Sequence, residues 1–256
     1  MSHLHIPDGV LPLWLVGLGW ALTAVFLAAA LLALRRADRG QLIPQIGIVS
    51  ALLVAAMSTE IVPIAYHVNL TVLGGIILGP AAGFLAAFVV NVILALFGHG
   101  GVTVAGLNTL IVGAECVLGY AFFHLFTRLL RSRIGLAAGL ATVVTLFLST
   151  TLSIGIVALS NVNPAQARDT GALNPATLSV ANPFSEGLLA NRIVTPEQEV
   201  QASSGVSMTR FAVVIYGLGS VGWVLESLIV GYLVAFIVRV RPGLLRHPLL
   251  GGLTWT

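Results

Sequence analysis

The stretch NLTVLGGIILGPAAGFLAAFVVNVILALF, residues 69–97, decides how this chain is organised. It is apolar almost throughout, yet Gly79-Pro80 interrupts it after an arm of about ten residues, roughly 15 Å of helix. Two readings are open: one kinked span, or two helices that enter and return on the same side. Arginine placement separates them. Arg35, Arg36 and Arg39 follow the first apolar run, Arg128, Arg131 and Arg133 the one ending at Leu130, and Arg239, Arg241 and Arg246 the last. If 69–97 turns back at Gly79-Pro80, all nine face one side, which the positive-inside rule makes cytoplasmic. If it crosses once, the second and third clusters face outward. The hairpin reading is preferred, and a broken helix at membrane depth requires other protein around its free backbone groups. Residues 69–98 are thus expected to be an internal, packed element.

The rest of the chain reads as membrane helix. Of 256 residues, 57% are apolar and 8% charged, against roughly 25% charged in a soluble domain, and the mean hydropathy is +1.02. The runs are Leu11–Leu34, Pro44–Ile61, Asn69–Leu78, Ala81–Phe97, Val104–Leu130, Ile134–Leu159 and Arg210–Val238. They predict an all-α polytopic bundle of about seven helices in one integral membrane domain, 1–256, with the N-terminus outside and the C-terminus cytoplasmic. Residues 1–10 lack a basic n-region and read as an external strand rather than a secretory signal. Residues 160–208 are polar, with Asn-Pro at 163–164, 174–175 and 182–183, and read as an external loop. The basic residues are all arginines at span ends or in that loop, so the pI near 9.6 does not point to nucleic acid. Cys116 is the single cysteine, and no disulfide framework exists.

This topology places four of the six histidines, His3, His5, His67 and His99, at the outer face, and His124 and His247 at cytoplasmic helix ends. Imidazole is a common ligand for divalent transition metals, which makes a metal site at the outer mouth one reading. The other is that an amphipathic ring suits a membrane interface. His5-Ile6-Pro7-Asp8-Gly9 forms a tight reversal that would fold the start of the chain over that mouth. A histidine near a free amine, as in Met1-Ser2-His3, can chelate through amine, amide and imidazole nitrogens, a planar set suited to Ni(II) or Cu(II). Gly98-His99-Gly100-Gly101-Val102-Thr103 ends the hairpin and starts the next helix, with Thr103 as a candidate cap.

Glu60, Glu115 and Glu226 fall within or near spans, where acids are costly. A proton or cation relay and interhelical hydrogen bonding both account for them. Asn91 and Asn108 read as interhelix hydrogen-bonding groups, and Ala51, Ala55 and Ala56 give the second helix a small-residue face. HExxH, GxSxG and Walker A motifs are absent, so an enzyme of those classes is not expected and ATP-driven work would need partners.

His5-Ile6-Pro7-Asp8-Gly9-Val10-Leu11-Pro12 resembles the amino-terminal signature of the CbiM/NikM family, the substrate-binding (S) components of energy-coupling factor transporters for cobalt and nickel. Leu73-Gly74-Gly75-Ile76-Ile77-Leu78-Gly79-Pro80, and His99-Gly100-Gly101-Val102-Thr103 through Asn108, are similar to that family's internal motifs. The resemblance spans residues 5–130, continues in the helix pattern to the last span and omits the loop at 160–208. It implies a non-enzymatic plasma (inner) membrane receptor that captures Co²⁺ or Ni²⁺ as substrate, often in connection with cobalamin biosynthesis. It also implies a transmembrane coupling (T) component, two cytoplasmic ATP-binding-cassette ATPases and, often, a small accessory membrane protein.

The family's metal is held by the terminal amine, the signature histidine and a histidine after the next helix, which carry over to His5 and His67. In the family the signature histidine is second in the mature chain, whereas three residues precede Leu4 in this sequence. Either processing exposes Leu4, or another start is used, or His3 with the amine of Met1 or Ser2 supplies those nitrogens. The candidate ligands are therefore Met1, His3, His5 and His67, with His99, Asp8, Thr103 and Asn108 around them. The alternative is a secondary carrier coupling substrate to protons through Glu60, Glu115 or Glu226. A membrane enzyme with a histidine-held metal is a third option, with Asp8 the one carboxylate near the cluster by sequence.

Overall fold

The structure, a computed structural model, describes residues 11–58, 60–61, 66–98, 100–130, 133–159 and 208–245. The strand expected at 1–10 and nearly all of the loop expected at 160–208 lie outside these residues. The elements are α1 (Leu13–Leu34), α2 (Arg39–Ser58), β1 (Glu60–Ile61), β2 (Tyr66–His67), α3 (Thr71–Leu96), α4 (Ala105–Leu130), α5 (Ile134–Leu159) and α6 (Met208–Val240), followed by a 3₁₀ turn at Pro242–Leu245. By length and composition, six of these helices are able to cross a membrane.

The stretch 69–97 contains a hairpin. Gly79 leaves the helix with φ 77° and ψ 174°, a conformation essentially confined to glycine, and its extended ψ is what the following Pro80 requires. The two arms, 71–78 and 80–96, fold onto one another: a Cβ placed on Gly83 would lie 3.4 Å from the Cα of Gly75. In a continuous helix those positions would be roughly 12 Å apart. Counting the arms separately, the described residues hold the seven expected helical segments.

Helix directions agree. Leu11 and Leu15 pack with Val104, Leu107 and Ile111 near the start of α4. Farther along, Phe26 meets Phe84 at 5.7 Å, and the Phe84 ring abuts Gly113. Thus α1 descends beside α4 in the same direction, which a single crossing by α3 would forbid. Helices α5 and α6 run antiparallel, Gly135 against Gly231 and Gly139 against Ser227, with Phe147 and Thr151 against Tyr216. Arg35, Arg36 and Arg39, Arg128 and Arg133, and Arg239 and Arg241 therefore share one end of the bundle.

Burial is inverted relative to a soluble protein. Leu18, Val25 and Leu32 of α1 and Ile43 and Ile48 of α2 are exposed, as hydrocarbon contact allows, whereas α3 is buried along most of both arms. Since lipid is as apolar as leucine, this packing is held by close approach and interhelical hydrogen bonds rather than by escape from water. Gly75 is the tightest point: a Cβ there would fall 2.1 Å from the carbonyl oxygen of Cys116.

Several local expectations need correction. Helix α2 begins at Arg39, not Pro44, because Asp38 caps it: its Oδ1 accepts from Gly40 N–H at 2.9 Å and its carbonyl from Leu42 N–H at 3.0 Å. The helix ends at Ser58, so Glu60 lies beyond it, in β1. The last helix starts at Met208, inside the segment expected to be loop. Among the described residues Asn91 bridges no helices; its Nδ2 donates to the Ala87 carbonyl of its own helix at 2.8 Å. The short strands β1 and β2 fall where the sequence shows no strand pattern.

Candidate functional site

His67 sits on β2, directly opposite Glu60 in an antiparallel ladder with β1. Such a short pair is marginal by itself, but the chain immediately after it is firmly held. Leu70, buried, adopts φ 41°, ψ 10°, a left-handed conformation that costs a non-glycine residue roughly 1–2 kcal/mol and turns the chain into α3. On either side of it, Asn69 and Thr71 are fully buried and bind across the bundle.

Asn69 is gripped twice. Its backbone N–H donates to Glu226 Oε2 of α6 at 3.2 Å, and its Nδ2 donates to Glu115 Oε2 of α4 at 2.5 Å. Thr71 Oγ1 donates to the same Glu115 oxygen at 2.6 Å, and Ser149 Oγ of α5 to Glu115 Oε1 at 2.5 Å. Glu115 and Glu226 are both fully buried. A buried carboxylate is tolerated when donors converge on it, and Glu115 receives three, from the β2–α3 connection and from α3 and α5. Of the two roles open to Glu115, the geometry displays interhelical hydrogen bonding.

Three expected ligands, Met1, His3 and His5, and the surrounding Asp8 and His99 lie outside the described residues. His67 is described, and half-buried. Among the described residues no three His, Cys, Asp or Glu side chains converge as a metal set. Thr103 stands just before α4, where its carbonyl accepts Trp20 Nε1 at 2.7 Å and so ties α1 to α4. Asn108 is buried in the first turn of α4, its N–H donating to the Val104 carbonyl at 3.0 Å. It precedes Glu115 by two helical turns and shares its face, roughly 10 Å away along the axis.

Asn69, Thr71 and Ser149 were not singled out by the sequence pattern. For Ser149 a signal existed: Thr142, Thr145, Ser149 and Ser153 repeat at helical spacing in an otherwise apolar helix, and all four are buried. Nothing local marks Asn69, and the meeting of Glu115 with Glu226 on one asparagine joins residues more than a hundred positions apart.

These helices define a multi-pass membrane protein built around an internal helical hairpin. The chain belongs to the CbiM family, the cobalt uptake substrate-specific transmembrane region, whose profile matches residues 5–244. Over 162 residues it is 36% identical to a metal transport protein of Haloquadratum walsbyi, covering 61% of this chain and 71% of that one. It is 37% identical over 142 residues to the fused nickel transport protein NikMN of Archaeoglobus fulgidus, covering 53% of this chain and 47% of that protein. With the cobalt transport protein CbiM of Sorangium cellulosum it shares 35% over 134 residues, 49% of this chain and 59% of that one. The chain thus spans between about half and seven-tenths of these relatives.

Among solved structures, a transition metal transporter superposes with a TM-score of 0.61 at 20% identity, over 93% of both chains. A truncated transition metal transporter gives 0.62 at 19%, over 92% of this chain and 99% of that one. At these identities the likeness is one of fold.

Proposed function

We propose that this protein is the metal-capturing S component of an energy-coupling factor transporter for Co²⁺ or Ni²⁺, with His67 as a ligand contributed by the bundle. The observation that carries this is the presentation of His67: half-buried, on a strand whose continuation is anchored in the core at Asn69. Membership of the cobalt-uptake family supplies the substrate class. An imidazole held on a rigid support loses little conformational freedom when it binds an ion, and such preorganisation favours tight capture. The start of the chain, through the amine of Met1 and His3 or His5, supplies the remaining nitrogens and closes over the ion, with Asp8, His99, Thr103 and Asn108 around them. Nitrogen-rich sites follow the order Co²⁺ < Ni²⁺, so both bind and nickel binds more tightly.

Inward delivery depends on a T component in the inner membrane and two cytoplasmic ATPases, with a small accessory membrane protein in some assemblies. The arginine-bearing end faces the cytoplasm, and the small residues of α2 are the contact surface for the T component.

The test is a titration of purified protein with Ni²⁺ and Co²⁺, comparing wild type with His67→Ala, alongside uptake in cells with and without the ATPase subunits. Binding that is lost in His67→Ala, and uptake that needs the ATPases, are the expected results. Binding and uptake undiminished by His67→Ala would remove the proposal. The buried pair Glu115 and Glu226 is also what a proton-coupled carrier would employ. Uptake into proteoliposomes driven by a pH gradient alone, with no ATPase present, would favour that alternative.

A further inference from the structure

The strand that carries His67 has unequal supports. Upstream, β2 is tied to β1 by a ladder two residues long. Downstream, after the single intervening residue Val68, Asn69 is bonded to two helices that do not adjoin it in sequence. Two residues of chain span at most roughly 7 Å, so a displacement or rotation at Asn69 passes to His67 with little to absorb it. The left-handed turn at Leu70 adds to this. A strained backbone persists only where its surroundings over-determine it, and the bonds of Asn69 and Thr71 on either side are those surroundings. The Asn69 amide has a defined sense as well: Nδ2 points to Glu115, while Oδ1 has no hydrogen-bond partner among the described residues.

We propose that Asn69 is the positioning residue for His67: the grip of Glu115 on its side chain and of Glu226 on its backbone N–H sets where the imidazole is presented. A shift of α4 against the α5–α6 pair that loosens this grip releases the ion. The proposal rests on the reading of His67 as a ligand. Its physical basis is that the cluster yields abruptly. The bonds to Glu115 are short, buried and share one carboxylate, so a sliding of α4 by about 2.5 Å across them takes all three beyond hydrogen-bonding range together. Packed interfaces move between discrete arrangements rather than deforming continuously, and the outcome at His67 is a held or an unheld imidazole.

The test uses the full chain in detergent, titrated calorimetrically with Ni²⁺. Asn69→Asp sets a carboxylate against Glu115, and Glu115→Gln sets an amide N–H₂ against that of Asn69, which Asn69 relieves only by turning over and leaving its own N–H₂ buried without an acceptor. The double variant exchanges donor for acceptor. The glutamine side chain introduced at position 115 keeps its Oε1 for Ser149 and directs its N–H₂ at the carboxylate introduced at position 69 and at the Thr71 hydroxyl. Each single change is expected to weaken Ni²⁺ binding tenfold or more, and the double variant to return to within threefold of wild type. A merely stabilising role does not predict recovery by exchange. Phe123→Leu, a core change two turns beyond Glu115, is the control, lowering the melting temperature with affinity unchanged.

Should Asn69→Asp not fold, Asn69→Ala keeps the backbone bond to Glu226, removes only the amide, and carries the same expected loss. Single variants that bind within twofold of wild type overturn the proposal and leave the His67 reading intact. So does affinity that merely tracks melting temperature through the whole set, Phe123→Leu included. A wild-type chain that binds neither Ni²⁺ nor Co²⁺ removes both.

Discussion

Gly75→Ala adds one methyl group and is expected to be among the most damaging small substitutions in this protein. The new Cβ would lie 2.1 Å from the carbonyl oxygen of Cys116, 2.7 Å from its carbonyl carbon and 2.8 Å from its Cα. All three are backbone atoms of α4, so no side chain can swing aside. Since ordinary contact begins near 3.4 Å, the 71–78 arm has to withdraw by about 1.3 Å. Overpacking of this kind costs about 1–3 kcal/mol. The same withdrawal stretches the 2.6 Å bond from Thr71 to Glu115, and the Asn69 bond beside it, each worth about 1 kcal/mol. The combined expectation is at most about 3–5 kcal/mol, since the two costs share one displacement and are not fully additive.

The assay is thermal unfolding in detergent followed by tryptophan fluorescence, with Gly47→Ala in α2 as the matched control. Nothing lies within 4 Å of a Cβ at position 47. Alanine there is expected to be neutral or slightly stabilising, by up to about 1 kcal/mol. If Gly75→Ala melts within a degree or two of wild type, the close approach of the hairpin arm to α4 is refuted. A rigidly anchored His67 then loses its support as well.

Two further outcomes are expected from the same geometry. Gly79→Ala forces a side chain into φ 77°, ψ 174° and should cost about 1–3 kcal/mol; an unchanged unfolding midpoint would show that the hairpin turn is not as described. Saturating Ni²⁺ should raise the unfolding free energy by about 2.7 kcal/mol at a hundred times Kd, reversed by a chelator and absent in His67→Ala. A shift that persists in that variant would place the ion elsewhere.

How much of this was legible in the sequence varied with the range of the interactions involved. Composition alone dictates a membrane bundle, because 8% charge cannot cover a water-facing surface. The fold-back at Gly79-Pro80 was also readable. Its signal is partly local, a glycine that tolerates φ > 0 before a proline that disfavours helix in the residue preceding it, and partly a rule of charge placement that acts on the whole chain. His67 could be singled out as an imidazole in a connecting segment. Asn91 marks where such reading fails: a polar residue in an apolar run is equally able to serve its own helix or a neighbour, and it serves its own.

What the tertiary structure alone decided is the setting of His67. Glu115, Ser149 and Glu226 sit in apolar runs with no ionisable neighbour at helical spacing, and nothing in their local sequence says that all three converge near the β2–α3 connection. That convergence depends on which helices touch and at what depth, which is set by glycine-mediated contacts such as Gly75 with Cys116 and Gly135 with Gly231. Local sequence encodes the period and the break points of the helices. The partners of a buried carboxylate are chosen by three-dimensional packing, because desolvation obliges it to take whatever donors the bundle brings within reach.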